Sequence, residues 1–353
     1  MEIEKVLQKE ITFPKLEEVY FHKVKSNWDQ VAKPLDSMGK FESIFCQIGM
    51  IQKNSIPNLN AELLVFCADN GIVEEGISQS GQEVTRICAE SIASGKSSVS
   101  VMASVAGVAV NVYDVGINTN EKLACANHKK VMSGTNNFLK EPAMSKEQTL
   151  RAMQIGYDLV REKKEQGIGI LCVGEMGIGN TTTSAAVASA LLNVHPDVMT
   201  GKGAGLSDEG LARKKQVVLS GIEKYDLEHK SPLEVLSCVG GLDLAAMVGV
   251  YVGGRMFGMP IILDGVITMV AALVAEKLLP ESKKVLIPSH ASREPAVKKI
   301  VDDIKLTPAI YADMALGEGS GAIMFYQLIK LADEVYKNSN PFQAIGVKQY
   351  TRK

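Results

Sequence analysis

Residues 167–193, GIGILCVGEMGIGNTTTSAAVASALLN, combine a short apolar run, a glycine-rich turn and an alanine-rich segment. The apolar run over 167–175 is continuous instead of alternating, which is typical of a strand that helices cover on both faces. The segment over 181–193 has the composition of an apolar helix. A strand, a turn and a helix in this order predict one unit of a parallel α/β sheet.

The same alternation of short apolar runs and longer helical segments continues along the chain. Further strands are predicted at 61–69, 107–116, 234–241, 260–265 and 284–290, and further helices at 82–104, 145–165, 207–224, 242–257, 266–279, 293–304 and 321–337. The fold class is therefore α/β, with helices on both faces of a parallel sheet. Helical segments at both ends of the chain predict a small helical domain of residues 1–60 and 338–353, beside a large α/β catalytic domain over 61–337.

Composition limits the classes of partner. The 38 basic and 40 acidic side chains give a net charge of −2, so the chain lacks the positive field that attracts nucleic acid. The most apolar stretches, within 242–279, are interrupted by glycine, proline and charged residues and are too short for a membrane helix. We expect neither nucleic acid nor a membrane as a partner.

The cysteines and histidines indicate neither a disulfide framework nor a metal site. The five histidines show no spacing typical of metal ligands, and the N-terminus has no apolar core of a signal peptide. Several cysteines lie inside apolar runs, which is typical of reduced core thiols in a cytoplasmic protein. The chain has six cysteines in all: Cys46, Cys67, Cys88, Cys125, Cys172 and Cys238. We predict a cytoplasmic protein that needs no metal.

Polar residues follow the predicted strands at the point where each strand ends. In an open parallel sheet, ligands bind where the loops after the strands converge, so these residues predict one common site. Taken singly, each of them also fits the ordinary role of turning the chain or capping a helix. The strand ends carry Asp69, Asp114, Glu175, Asp243, Asp264 and His290.

The glycine-rich turn GEMGIGNTTT at 174–183 predicts a binding loop for phosphate. Glycines let backbone amides approach an anion, and the N-terminus of the next helix adds unpaired donors. The spacing resembles the triphosphate-binding pattern GxxxxGK[ST], but Asn180 stands at the lysine position, which favours a monophosphate over nucleoside triphosphate hydrolysis. The same residues also fit a capped turn that binds no ligand.

A second glycine-rich segment, GKGAGLSDE at 201–209, contains Gly203 and precedes a helix with Arg213, Lys214 and Lys215. A cation on this helix could contact a substrate phosphate or ribose. The three side chains also fit a solvated basic face of the helix.

A third segment, LGEGSGA at 316–322, places Glu318 among glycines ahead of an apolar helix. Neighbouring glycines leave space for a ligand, and a carboxylate in a cleft can act as a general base when it reaches the proton of the nucleophile. An exposed turn residue is the alternative interpretation.

Seven segments together are similar, in order and spacing, to the family of nicotinate-nucleotide:dimethylbenzimidazole phosphoribosyltransferases. The resemblance extends over residues 30–335 and is carried by ADNGIVEEGIS, GEMGIGNTTTSAA, GAGLSDEGLARKK, VGGLDLAAMVG, ILDGVITMVAAL, IPSHASREPA and ALGEGSGA. It implies a Rossmann-like sheet, a small helical domain from both termini and a dimer. It also implies that an acceptor base displaces nicotinate from nicotinate mononucleotide with inversion, without a cofactor, to give an α-riboside 5′-phosphate.

The resemblance also implies roles for individual residues. The catalytic base of the family corresponds to Glu318, and its second acidic residue and its lysine correspond to Glu175 and Lys214. Ser80 and Cys88 are expected near the acceptor. The predicted substrate-binding residues are Ser80, Cys88, Glu175, Gly177, Gly179, Asn180, Thr181, Gly203, Lys214 and Ser292.

Departures from the family pattern leave the acceptor open between two classes. Asn70 stands where relatives commonly have histidine, and Cys88 stands where a benzimidazole-activating relative has glutamine. A related branch of the family works as a heterodimer and transfers to phenol or p-cresol, which have no second ring nitrogen to bind. We place benzimidazoles ahead of phenols. A non-catalytic partner subunit of such an enzyme is a further alternative.

Overall fold

The structure is a computed structural model that describes residues 1–124 and 126–352. Its main sheet consists of β1 (Ala61–Ala68), β2 (Ala109–Gly116), β3 (Asn127–His128), β4 (Ile170–Met176), β5 (Ile261–Leu263) and β6 (Leu286–Pro288). The strand order is β3–β2–β1–β4–β5–β6, and each neighbouring pair is parallel. Two short strands, β7 (His290–Ala291) and β8 (Ile310–Tyr311), form a separate parallel pair. Cys125 lies outside the described residues.

Helices connect the strands and form both chain ends. They are α1 (Glu2–Leu7), α2 (Glu18–Gln30), α3 (Lys40–Gln52), α4 (Glu83–Ala93), α5 (Ser98–Ala106), α6 (Lys146–Glu165), α7 (Asn180–Leu192), α8 (Pro196–Met199), α9 (Asp208–Lys224), α10 (Pro232–Val239), α11 (Leu242–Phe257), α12 (Val266–Leu278), α13 (Ala296–Ile304) and α14 (Ser320–Asn338). Among the described residues, none of the helices is both long and apolar enough to cross a membrane.

Both faces of the sheet are buried, as the continuous apolar runs predict. Along β1, Leu64 and Phe66 point into a core shared with α6, α7, α11 and α12. Leu63 and Val65 point to the opposite face and pack with α4, α5 and α14. All four side chains are 0% exposed. The predicted α/β class with a parallel sheet between helices is confirmed.

Two elements differ from the sequence prediction. Residues 234–241, predicted as a strand, belong mostly to helix α10. Ser231 explains the difference, because its side chain caps the Glu234 amide while the Glu234 side chain accepts from the Ser231 amide, and Pro232 occupies the first helical position. The predicted helix over 82–104 is two helices, α4 and α5, because the chain turns at Gly95 with a φ of 77°.

The two chain ends meet in a small apolar cluster. Trp28 of α2 and Phe45 of α3 pack with Ala332 of α14, and Val31 pairs with Pro341 in an isolated antiparallel bridge. Helix α1 instead packs on α6, where its apolar side chains join the main core. The domain boundaries at 1–60, 61–337 and 338–353 stay a prediction. The bridge between Val31 and Pro341 fits them, whereas Ala332 lies within the predicted large domain and α1 packs on that domain.

Candidate active site

The carboxyl ends of β4, β5 and β6 open into a cleft of about 270 Å³. Loops after these strands meet there with the loop before α14 and with α4. The cleft lining includes eight residues singled out from the sequence, namely Cys88, Glu175, Gly177, Asn180, Thr181, Gly203, Ser292 and Glu318. The strand ends thus bring together segments that are far apart in the chain, as an open parallel sheet does at its binding edge.

Glu318 faces this cleft from a loop with an unusual backbone. Gly317, Glu318 and Gly319 have consecutive positive φ values of 84°, 62° and 90°. The Glu318 Oε2 atom is buried and accepts no hydrogen bond within the described residues. Burial raises the pKa of the Glu318 carboxyl, the backbone amide of Val99 partly opposes this by favouring the charged form, and the nearby charge of Asp264 adds to the rise. A carboxylate with an unpartnered oxygen and a raised pKa has the properties of a general base.

Glu175, at the end of β4, belongs to a buried group of acids beside this loop. The side-chain amide of Asn180 donates hydrogen bonds to the Glu175 carboxyl group and to Asp243 Oδ2, the latter at 3.0 Å. Burial raises the pKa of Glu175 to about 8, with additional contributions from Asp243 and Asp264. Burial likewise raises the pKa of Asp243 to about 6. Asn180 therefore connects two carboxyl groups whose charged forms are disfavoured.

Lys214 lies behind another corner of the cleft. Its side chain is 1% exposed, and Nζ donates a hydrogen bond of 2.7 Å to Thr181 Oγ1. Burial lowers the pKa of Lys214 to about 8, an effect that Glu294 partly opposes. Gly203 is adjacent, since a Cβ on it would lie 3.4 Å from Lys214 Nζ. Thr181, Gly203 and Lys214 thus form a corner in which an anion would stabilise the buried ammonium group.

Comparison with known proteins identifies the family. A family model described as Phosphoribosyltransferase matches residues 13–347, most of the chain. This chain belongs to that phosphoribosyltransferase family. The family predicted from the seven sequence segments is confirmed.

Similar proteins agree over nearly the whole length. Nicotinate-nucleotide--dimethylbenzimidazole phosphoribosyltransferase of Ruminiclostridium cellulolyticum is 36% identical over 329 residues, which cover 93% of this chain and 94% of the relative. A protein of the same name from Clostridium perfringens is 37% identical over 322 residues, covering 91% and 89%. The crystal structure of CobT from Thermus thermophilus has a TM-score of 0.87 and 34% identity, and the match covers 94% of this chain and 100% of that chain.

Three predicted residues of this phosphoribosyltransferase lie outside the cleft lining. Lys214 reaches the cleft through Thr181. Gly179 precedes α7, and a Cβ on it would meet Val73 and Asn70 instead of a ligand. Ser80 lies in the loop before α4, where its amide donates to Ser78 Oγ at 3.2 Å. The roles assigned to these three residues stay predictions.

The amides of the predicted phosphate loop are partly occupied by bonds within the protein. The backbone amide of Ile178 donates to Thr85 Oγ1 at 3.0 Å, and the backbone amide of Asn180 donates to the Gly177 carbonyl at 3.0 Å. These donors are not free for an anion. In the part of the chain that the structure describes, the ammonium group of Lys214 makes one hydrogen bond, to Thr181, and it can donate further bonds to an anion. The corner next to Lys214 therefore suits a phosphate better than the loop at 177–181.

Three further residues, Asp264, His290 and Glu294, line the cleft although no sequence motif assigned them a role there. Asp264 and His290 belong to the set of polar strand ends, which predicted a common site, and to two of the seven family segments, but neither had a role of its own. The Glu294 carboxylate accepts the Gly203 amide at 3.2 Å, which connects two loops 91 positions apart. A contact of this kind between distant loops leaves no local signal in the sequence.

Proposed function

We propose that this phosphoribosyltransferase transfers the ribose 5-phosphate group of nicotinate mononucleotide to 5,6-dimethylbenzimidazole or a similar cobamide lower-ligand base. The products are nicotinate and an α-riboside 5′-phosphate. The observation that carries the proposal is the unpartnered, buried Oε2 of Glu318 in the cleft, in a chain whose relatives of that name align over more than nine-tenths of its length.

The chemistry requires one bond to break, one to form and one proton to leave. Nicotinate departs with the electron pair of its bond to the ribose carbon, which neutralises its cationic ring nitrogen. The lone pair of one benzimidazole nitrogen forms the new bond from the opposite face. The second ring nitrogen then releases its proton to the Glu318 carboxylate. A base held within reach and a fixed substrate orientation supply the catalysis.

We place the substrate phosphate in the corner of Thr181, Gly203 and Lys214. Lys214 has a buried ammonium group, and its depressed pKa reflects burial that a neighbouring carboxylate offsets only in part. A phosphate would offset that burial through a charge-assisted hydrogen bond. The hydroxyl of Thr181, which already accepts from Lys214, can turn its own proton towards the same anion.

We place the acceptor at the side of the cleft where Cys88 lies. Cys88 lines the cleft from α4, and burial together with the charge of Glu318 raises the pKa of its thiol. The thiol is therefore close to the proposed base. The names of the relatives favour dimethylbenzimidazole, and no structural feature of Cys88 favours phenol or p-cresol over it.

We further propose that the chain acts as a dimer. Exposed apolar side chains occur on α4, α5 and α14, and α5 packs against each of the other two helices. They are Ile87, Val101, Val105, Met324 and Leu331, which are between 45% and 79% exposed. Covering such side chains would be favourable. Light scattering on the parent and on Val105→Lys tests the proposal, and a monomeric parent would exclude it.

The location stays a proposal as well. The thiols of Cys46, Cys67 and Cys172 are buried and unbridged, which fits a reducing compartment. We propose the cytoplasm on this basis.

The decisive experiment combines product analysis with Glu318→Gln. The purified chain is incubated with nicotinate mononucleotide and each of dimethylbenzimidazole, adenine, phenol and p-cresol, and the products are identified by mass. Glu318→Gln should bind nicotinate mononucleotide normally and lose about 10²–10⁴-fold in kcat, the usual contribution of a general base. Glu334→Gln, on the exposed side of α14, is the matched control and should retain full activity.

Three results would count against the proposal. If the parent forms no riboside phosphate alone, the non-catalytic subunit is favoured. If phenol gives product and benzimidazole does not, the acceptor is wrong. If Glu318→Gln keeps kcat within about threefold of the parent, Glu318 is not the base.

A further inference from the structure

The loop that presents Glu318 has a backbone that needs outside support. Three consecutive residues, Gly317 to Gly319, have positive φ. For a glutamate this left-handed conformation costs on the order of 1–2 kcal/mol. Such a conformation persists only when the surrounding structure fixes it. The direction of the Glu318 carboxylate therefore depends on whatever holds the loop.

Asp264, at the end of β5, makes the bonds that hold this loop. Helix α14 has Gly319 at its N-cap position, which has no side chain to accept the first free amides. Asp264 Oδ2 accepts the Gly319 amide at 2.9 Å, and Oδ1 accepts the Gly321 amide at 2.7 Å. Because Asp264 is 1% exposed, water cannot readily replace these two bonds.

The end of β6 fixes Asp264 in turn. Ser289 Oγ lies 3.3 Å from the Asp264 carbonyl and 2.9 Å from His290 Nδ1. The imidazole of His290 packs on the helix end at Gly321, where any Cβ would collide with it. Burial lowers the pKa of His290, although the Asp264 charge opposes the effect.

We propose that Asp264 is a positioning residue for Glu318, because it holds the Gly319 and Gly321 amides directly after the glutamate and so aims the carboxylate into the cleft. This inference rests on the proposed role of Glu318 as the base. Asp264 adds an electrostatic effect, since its charge lies close to the glutamate. Burial raises the pKa of Asp264, whereas His290 and three donating backbone amides favour its ionised form.

The pKa of Glu318 depends on the groups that face it from the neighbouring elements, and a change at Asp264 alters one of them. Glu175 faces it from β4, Cys88 from α4, and Asp264 and His290 from the ends of β5 and β6. In Asp264→Asn, the negative charge of Asp264 disappears, while Glu175, Cys88 and His290 are unchanged. The pKa of Glu318 should then fall, and the acidic limb of the kcat profile should move to lower pH.

The test is a double-mutant cycle of Asp264→Asn and Glu318→Gln, measured as kcat and as KM for nicotinate mononucleotide. Asparagine can accept only one of the two amides, so we expect kcat to fall by about 10–100-fold, the effect of a displaced catalytic group. KM should change by less than about threefold, since the loop does not reach the phosphate corner. In a Glu318→Gln background, adding Asp264→Asn should lower kcat by less than about threefold, because both changes remove the same function.

Other outcomes overturn the inference. A purely structural role would reduce kcat in proportion to the folded fraction, leave the acidic limb in place and multiply with Glu318→Gln. The matched control is Asp333→Asn, at the opposite end of α14, where Asp333 accepts from Lys337 at 2.7 Å. It should leave kcat and the pH profile unchanged.

Two further results are informative if Asp264→Asn does not fold or if Glu318→Gln retains activity. If Asp264→Asn does not fold, residue-resolved hydrogen exchange in the parent replaces it, and the Gly319 and Gly321 amides should be strongly protected. Exchange at the rate of an open loop would overturn the clamp. If Glu318→Gln retains activity, the proposed base is wrong, whereas its inactivity combined with a fully active Asp264→Asn refutes the positioning role alone.

Discussion

Glu175→Gln should raise the free energy of unfolding near neutral pH, because the parent buries a carboxyl group whose charged form is disfavoured. Glu175 is 7% exposed. Burial, and then the charges of Asp243 and Asp264, raises its pKa from the ordinary 4.5 to about 8. The unfolded chain therefore releases a proton that the folded protein retains over this interval of pH.

Linkage gives the sign and the size of the effect. A carboxyl group with a raised folded-state pKa leaves stability intact below pH 4.5 and lowers it as the pH rises to about 8. One pH unit corresponds to about 1.4 kcal/mol for one proton, so the loss reaches about 3 kcal/mol at pH 7 and at most about 5 kcal/mol above pH 8. A neutral glutamine avoids this loss, and its carbonyl oxygen can still accept the bond from Asn180.

Urea denaturation at pH 5, 6, 7 and 8 measures the difference between Glu175→Gln and the parent. The difference should grow from about 1 kcal/mol at pH 5 to about 3 kcal/mol at pH 7. Glu334→Gln, which changes an exposed glutamate, should show no such slope. A difference that is the same at pH 5 and pH 8, or a variant that is less stable throughout, would refute the reasoning.

Three other substitutions test separate parts of the site. Lys214→Met should raise KM for nicotinate mononucleotide at least tenfold in steady-state assays, because a charge-assisted bond contributes about 1.5–3 kcal/mol; an unchanged KM would remove the phosphate from the Thr181 corner. Cys88→Gln should alter the ratio of kcat/KM for benzimidazole and phenol and leave KM for nicotinate mononucleotide constant, and an equal response of both substrates would contradict the acceptor assignment. Gly179→Ala should lower the free energy of unfolding by at least about 1 kcal/mol in urea, since Gly179 has a φ of 93° and a Cβ would lie 2.7 Å from Val73; a loss of binding without a loss of stability would indicate direct ligand contact instead.

The fold was predictable from the sequence wherever one local signal dominated. The apolar runs before Asp69 and Glu175 are central strands, because apolar residues on both sides suit no other place in a parallel sheet. Residues 234–241 misled the prediction because VLSCV suits a strand as well as a helix. The capping interactions of Ser231 decided between them, and such a cap has to be weighed against the apolar composition.

The sequence predicted the position of the site at the edge of the sheet. It did not predict which residues contact one another there. Polar strand ends indicated the correct edge of the sheet, because all parallel strands end there. The partners of each residue depend on packing between distant segments. The bond from the Gly319 amide to Asp264 spans 55 positions, and the bond from Lys214 to Thr181 spans 33.

The glycines mark the site correctly, but the physical reason that the sequence suggested for them was wrong. The sequence pattern predicts that glycines in the two loops leave room for a ligand. In the structure, a Cβ on Gly177 would collide with the Ala68 carbonyl, and a Cβ on Gly319 would lie 2.6 Å from Leu63. These glycines let the loops lie directly on β1 and β4. Close packing of this kind fixes the neighbouring polar side chains, Asn180 and Glu318, in the cleft. A glycine-rich loop therefore marks the site because it brings the backbone onto the sheet, and the chemistry depends on the side chain that this contact holds in place.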